Sequence, residues 1–512
     1  MMTNTKSLAG SAQQNLILLA VCMAAAAMPL TFTGPAVALP SIAHSLGGSP
    51  IALNWVTNAF MLTFGSGLMA AGALADSYGR KRMFIAGVAA FALFSFALAF
   101  ASGIVSFDLL RGGQGIAAAA AFSAGMASLA QEFDGTSRVR AFSIVGTSFG
   151  VGLAFGPIAS GLMADAFGWR TIFYLVFALA TASLLLAISC LRESRDPDAA
   201  GLDWPGTITF TLALTFFTYA VLEAPESGWT SPAVIGLLVG AALLMAAFVI
   251  VEGKVARPML DLSLFRYPRF VGVQLLAAAP AYAFVVLLIL LPIRFTGIEG
   301  MSAVTAGQMM IALSAPLLIL PLVAGWLTKW LSVSTICGTG LLISAAGLLW
   351  LSYFPAGQFE LSIVLPMLTI GTGISLPWGL MDGLAVSVVP KERAGMATGI
   401  FSTTRVAGEG LALAVVSAIL SALSASSLPD SGTFGPSVIS ETAQFLATGN
   451  LDRAVLSMPS LGQAGLTHAF SNAFGLLLMG LAGVTVVTAT VVFLFLGSGE
   501  SAEESAAAES AS

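Results

Sequence analysis

Long apolar runs broken by short polar stretches recur along the whole chain. Fourteen reach the length of a membrane crossing, at about 15–39, 52–75, 83–102, 105–130, 139–165, 169–191, 204–223, 230–252, 269–296, 303–328, 333–353, 361–389, 394–424 and 468–496. A helix of about 20 residues crosses the hydrocarbon layer. None of the runs alternates with period two, as a barrel strand would. In lipid every backbone amide must be satisfied within its own segment, so the runs are expected to be helices. The first run is long and lacks a cleavage-site pattern, which argues against a removed signal peptide. One interval differs. Between runs 13 and 14, Val438, Ile439, Ala443, Phe445 and Leu446 precede Gly449-Asn450, and Leu451, Ala454, Val455 and Met458 follow. Apolar positions three and four apart predict two short amphipathic helices, joined at a Gly-Asn turn.

Composition agrees with this pattern. Only 9% of the 512 residues are charged and 57% are hydrophobic, and mean hydropathy is +0.94. This excludes a soluble enzyme, a nucleic-acid binder and a disordered chain. The three cysteines lie in apolar runs, with no disulfide or metal-ligand spacing. No phosphate-binding Gly-x4-Gly-Lys-Ser/Thr loop occurs. No cofactor or metal is expected. Fifteen of the 20 Lys and Arg residues fall in segments on one side of the membrane if the N-terminus is inside. The positive-inside rule then places both termini in the cytoplasm of a multi-pass protein of the inner, plasma membrane. The tail 497–512 is rich in Ala, Ser and Glu and is expected to be disordered.

Charges within the spans are costly, about 2.5–3.5 kcal/mol at a span centre even on permissive scales. Arg111, Asp382, Arg405 and Glu409 are such charges. Arg405 and Glu409 lie four apart, on one helix face, and either neutralise each other or serve proton exchange. Asn54, Asn58, Gln114, Trp378 and Phe401 are polar or aromatic candidates for a cavity wall. In span 5, Gly146, Gly150, Gly152, Gly156 and Gly161 permit close helix contact, and Pro157 can bend the helix.

Two segment pairs repeat at a distance. Arg140–Gly146 matches Arg393–Gly399, and Gly72–Asp76 matches Gly325–Lys329. Two six-helix halves are therefore expected, with spans 7 and 8 inserted between them, as in secondary transporters built from repeats. The boundaries are 1–191, 204–252 and 269–496, the last carrying the outside loop 425–467.

Gly72-Ala-Leu-Ala-Asp-Ser-Tyr-Gly-Arg-Lys-Arg82 resembles the signature loop of the major facilitator superfamily. Leu110-Arg-Gly-Gly-Gln-Gly115 is similar to the family's span-4 motif. Gly152 to Gly161 resembles its antiporter motif, with Gly152, Gly156, Pro157 and Gly161 in place. Gly168–Phe173, and Ala38–Ile42 with Trp55, resemble the fourteen-helix drug:proton antiporters. The resemblance implies an all-helical exporter of hydrophobic or amphipathic small molecules. It would exchange them for protons by alternating access and function as a monomer. Within it, Gly72, Asp76, Gly79, Arg80 and Lys81 form a latch, Asp76 accepting from the start of span 13. Glu409, Asp382, Arg405 and Arg111 are the proton-coupling candidates. Many relatives carry an Asp in span 1 where this chain has Thr31, which leaves open a dedicated exporter of one metabolite or antibiotic. An intramembrane enzyme or a non-transporting sensor are the readings from other classes.

Overall fold

The computed structural model describes residues 2–511 apart from 134, 196–202, 256–257, 259, 261, 357–360, 388–393 and 429–433. Among the described residues every element is a helix. The first seven are α1 (Met2–Val37), α2 (Leu39–Leu46), α3 (Pro50–Tyr78), α4 (Arg80–Leu98), α5 (Ile104–Glu132), α6 (Gly135–Phe167) and α7 (Arg170–Cys190). Then come α8 (Trp204–Ser227) and α9 (Pro232–Glu252). The remainder are α10 (Pro268–Pro280), α11 (Val286–Ile293), α12 (Ala303–Ser314), α13 (Pro316–Leu327), α14 (Val333–Ser352), α15 (Val364–Ser387), α16 (Ala394–Ser427), α17 (Pro436–Ala447), α18 (Leu451–Ser457) and α19 (Gly462–Ala511).

Among the described residues thirteen stretches are long and apolar enough to cross a membrane. They match thirteen of the fourteen expected runs. The remaining run is α5, whose 29 residues pack between α3 and α4. Asp108, Arg111 and Gln114 dilute its hydropathy. Prolines subdivide two spans. Pro280 and Pro292 cannot donate to the ladder, and single π-helical turns follow each, at Ala281–Val285 and Arg294–Ile298. Pro316 opens α13 and divides span 10 into α12 and α13. The last helix continues through Gly497 to Ala511, where the composition had pointed to disorder.

Burial separates the centre from the rim. Residues 268–298 are the most buried of the spans, with α1 next, whereas α9 is the least buried. α9 is also the most apolar of the spans, as a helix facing lipid should be. One set of contacts joins α1, α3, α4, α5, α6 and α7; another joins α10, α12, α13, α14, α15, α16 and α19. The sets meet mainly where α6 crosses α12 and α3 crosses α16. Each crossing joins one span from each of the two repeated segment pairs. α8 pairs with α9 and lies against both α3 and α16, with Val221 and Leu222 packed on Ala414 and Ala418.

The expected hairpin is present as α17 and α18, with Gly449 at φ +74° in the turn between them. Its buried face includes Ala443, Phe445, Leu446, Leu451 and Ala454. Gly449 lies against Ile293 and Gly297, and Arg453 Nη1 donates to the Gly48 carbonyl at 3.3 Å. The hairpin thus touches both sets of helices. The opposite end of the bundle carries Arg80, Lys81 and Arg82. These are called the hairpin end and the basic end below.

Candidate functional site

The crossings between the two sets depend on missing side chains. A Cβ on Gly65 of α3 would stand 2.5 Å from Ala407 Cα and 2.6 Å from its nitrogen, and one on Gly410 would stand 3.0 Å from Met61 Cβ. On the other side, Gly161 abuts the Ala303 backbone and Gly307 abuts Pro157 and Ile158. Asp165 also accepts from Val304 N–H at 3.3 Å. The small residues of span 5 therefore serve two partners. Gly152 and Gly156 receive α1 at Ala26, Pro29 and Thr33, whereas Pro157 and Gly161 receive α12. Gly146 and Gly150, nearer the basic end, have open space around them.

Glu409 sits beside the α3–α16 crossing, on the same stretch as Ala407 and Gly410, and is 2% exposed. Arg405 lies one turn before it, its guanidinium 5.5 Å from the Phe401 ring centroid. Phe401 is fully buried, and Trp378 packs edge-on against Phe284 of the first π-helical turn, with centroids 6.1 Å apart. The Asp382 side chain lies outside the described residues. Thr31 donates to the Ala27 carbonyl of its own helix at 3.0 Å, so its hydroxyl hydrogen is already used. Asn58 donates to the Asn54 carbonyl at 3.0 Å, and its own buried Oδ1 has no partner.

Arg111 is wholly buried within the first set. Its Nε donates to the Val56 carbonyl at 2.8 Å and its Nη1 to Gln114 Oε1 at 2.6 Å. Gln114 in turn donates to Ser95 Oγ at 2.8 Å, and the guanidinium lies 4.8 Å from the Phe60 ring centroid.

At the basic end Arg80 holds Asp76. Its Nε and Nη2 donate to Asp76 Oδ1 at 2.9 and 2.8 Å, its Nη1 reaches Gln131 Oε1 at 3.1 Å, and its N–H donates to the Ser194 carbonyl at 2.8 Å. Glu193 accepts from Lys81 N–H at 3.2 Å and pairs with Arg82 at 3.5 Å. Gly79 is required by its φ of +111°. In this state the loop clamps α3, α4, α5 and the end of α7 together. The expected contact from Asp76 to the start of span 13 involves residues 388–393 and side chains up to 399, which lie outside those described.

Three charged residues escaped the sequence reading. Arg294 and Glu299 are 1% and 5% exposed by side chain and pair at 2.7 Å. They are five apart, and the π-helical bond from Glu299 N–H to the Arg294 carbonyl brings them together. Pairs at three or four would not flag them. Asp108 stands three residues before Arg111 on α5, and that spacing was a usable signal.

The Major Facilitator Superfamily model matches residues 19–413. The multidrug resistance protein Stp of Mycobacterium tuberculosis is 32% identical over 75% of this chain and 72% of its own length. The puromycin resistance protein pur8 of Streptomyces alboniger is 32% identical over 78% and 80%. The cephamycin export protein CmcT of Amycolatopsis lactamdurans is 32% identical over 74% and 79%. Among solved structures, a bacterial homolog of the human lysosomal transporter Spinster superimposes with TM-score 0.64 at 16% identity, covering 94% of this chain and 97% of that one.

Proposed function

Because the chain belongs to the Major Facilitator Superfamily, we propose that its outward transport of small molecules is driven by protons moving inward. It is a multi-pass membrane transporter of the drug- and antibiotic-exporting kind, not an enzyme. The observation that carries the coupling is Glu409. A carboxyl 2% exposed, beside the crossing of α3 and α16, lies where rocking of one half against the other changes which side water reaches. It takes up a proton when open to the outside and returns it when open to the cytoplasm. Arg405 lies one turn away on the same helix face and is the nearby positive charge on that helix. Asp382 is the second acid candidate on the same half.

The substrates are hydrophobic or amphipathic. Trp378, Phe284 and Phe401 are aromatic side chains buried in this state, and Asn58 has an unpaired amide oxygen; once exposed by alternating access they suit an apolar site with few polar anchors. Thr31 places no acid in span 1, so recognition does not demand a cation there. This leaves a single dedicated metabolite or antibiotic as the alternative cargo. The basic end faces the cytoplasm of an inner membrane, with both termini there, and the hairpin end faces out. The chain works as a monomer, and the hairpin acts as a lid over the outer mouth.

The test is expression in a bacterium stripped of its own exporters, challenged with cationic, neutral and anionic amphipathic compounds. Survival and reduced accumulation are expected for several of them. Protection against one compound alone would favour the dedicated exporter, and protection against none, with the protein in the membrane, would sink the export reading for the panel.

A further inference from the structure

Span residues of the first half hold two charges. Residues 13–37, 50–75, 83–98, 104–131, 141–164 and 171–190 contain Asp108 and Arg111 and no other Asp, Glu, Lys, Arg or His. The two lie one turn apart on α5, within the first two turns from its hairpin-end start. A purely structural ion pair inside a membrane should hydrogen-bond directly, as Arg294 and Glu299 do at 2.7 Å. This pair is built differently. Arg111 directs Nε and Nη1 to neutral acceptors, the Val56 carbonyl and Gln114. Its Nη2 is buried without a partner, as Arg294 Nη2 is in the other pair; what sets this pair apart is that its carboxylate oxygen, Asp108 Oδ1, is buried without a partner as well. Each such atom costs about 1–3 kcal/mol, and an unexplained buried one calls for a reason.

We propose that Asp108 is a second proton-carrying acid, separate from Glu409, and that Arg111 is its fixed counter-charge. The neutral hydrogen bonds hold the guanidinium in place whatever the protonation state of Asp108. The carboxylate oxygen, left without a donor, accepts a proton from the outside and becomes a neutral carboxyl. The reverse step breaks the same O–H bond and returns that proton toward the cytoplasm, with no other reactant. Of the helices packed on α5, which are α1, α3, α4 and α6, none adds a charged side chain within its span. The charges and titratable groups at that end of the half lie at the ends of α6 and α7 and in the short α2. Arg170 donates toward Ala101 and Ser45, Asp165 accepts from Val304, and His44 is exposed. Asp108 is thus the first-half acid, and it does the work that an Asp at position 31 would otherwise do.

This inference rests on the proton-coupled reading, and the test separates the two. The full chain, Asp108→Asn, Asp108→Glu and Glu409→Gln are each reconstituted in liposomes. The probe is whichever compound of the panel the unmodified chain moves fastest. Infrared difference spectra between acid and neutral pH report protonated carboxyls directly. Asp108→Asn should lose one carboxyl band that Glu409→Gln keeps, and Asp108→Glu should restore it. Uptake driven by a pH gradient should fall at least about tenfold in Asp108→Asn, with gradient-free exchange of the probe within about twofold of normal. If Asp108→Asn keeps its band and its drive while Glu409→Gln loses both, Asp108 carries no proton and the inference falls. If the unmodified chain moves the probe equally with and without the gradient, the coupling reading itself falls, and Asp108's role with it. A misfolded Asp108→Asn is caught by lost exchange, and the decision then passes to Asp108→Glu, whose failure to show the band overturns the proposal.

Discussion

Adding one methyl group at Gly161 should loosen the hairpin end of the transporter. In the structure that Cβ would lie 2.8 Å from the Ala303 carbonyl carbon and 3.2 Å from Val304 nitrogen, and nearer still to the Ala303 oxygen. Ordinary contact begins at 3.4 Å, so α12 must retreat by at least 0.6 Å (3.4 − 2.8). The obstacle is backbone and cannot rotate aside. Overpacking of this kind costs about 1–3 kcal/mol, which is about a 5- to 150-fold change in a two-state equilibrium. The closed hairpin end loses that much relative to the state in which α6 and α12 separate. A single cysteine at Val304 should therefore react with a membrane-impermeant maleimide about tenfold or more faster in Gly161→Ala. Transport should slow, because one of two alternating states has become too rare. Gly146→Ala is the control, since open space surrounds Gly146. Unchanged labelling in Gly161→Ala, or equal damage from Gly146→Ala, would refute the argument.

Further outcomes follow from other parts of the structure. Glu409→Gln should keep probe binding but lose pH-driven transport; full pH-driven export in both Glu409→Gln and Asp382→Asn would return Glu409 to a structural partner of Arg405. Glu299→Gln leaves Arg294 buried without its counter-charge, and breaking a buried pair costs about 3–5 kcal/mol. Its melting midpoint should drop clearly in a thermal-shift assay, and an unchanged midpoint would show that the pair is dispensable. Removal of residues 437–458 should leave insertion intact and lower efflux, whereas normal efflux would end the lid reading. A cysteine in the hairpin should label from outside intact cells and one at Arg82 should not; the opposite pattern would reverse the assigned sidedness.

Much of this architecture was legible in the apolar runs because lipid imposes long helices and little else. Even α5, diluted by Asp108, Arg111 and Gln114, was visible from its length. The hairpin was visible because Gly449-Asn450 interrupts two stretches with helical periodicity. The partners of individual residues were harder to read. Span 5 looked like one stripe of small residues, yet Gly152 and Gly156 meet α1 while Pro157 and Gly161 meet α12. A spacing of four fixes a shared face, not which helix covers it. Asp76 also takes two hydrogen bonds from Arg80, one turn on, a partner the family resemblance did not name. The Arg294–Glu299 pair was hidden because it depends on a π-helical turn that α-helical spacing does not anticipate.

The central claim is that a proton gradient drives export, and inverted membrane vesicles test it most directly. With the vesicle interior acid, the unmodified chain should accumulate a transported amphipathic compound, and a protonophore should abolish that accumulation at once. Accumulation that persists after the gradient is collapsed, or that requires ATP instead, would contradict the account.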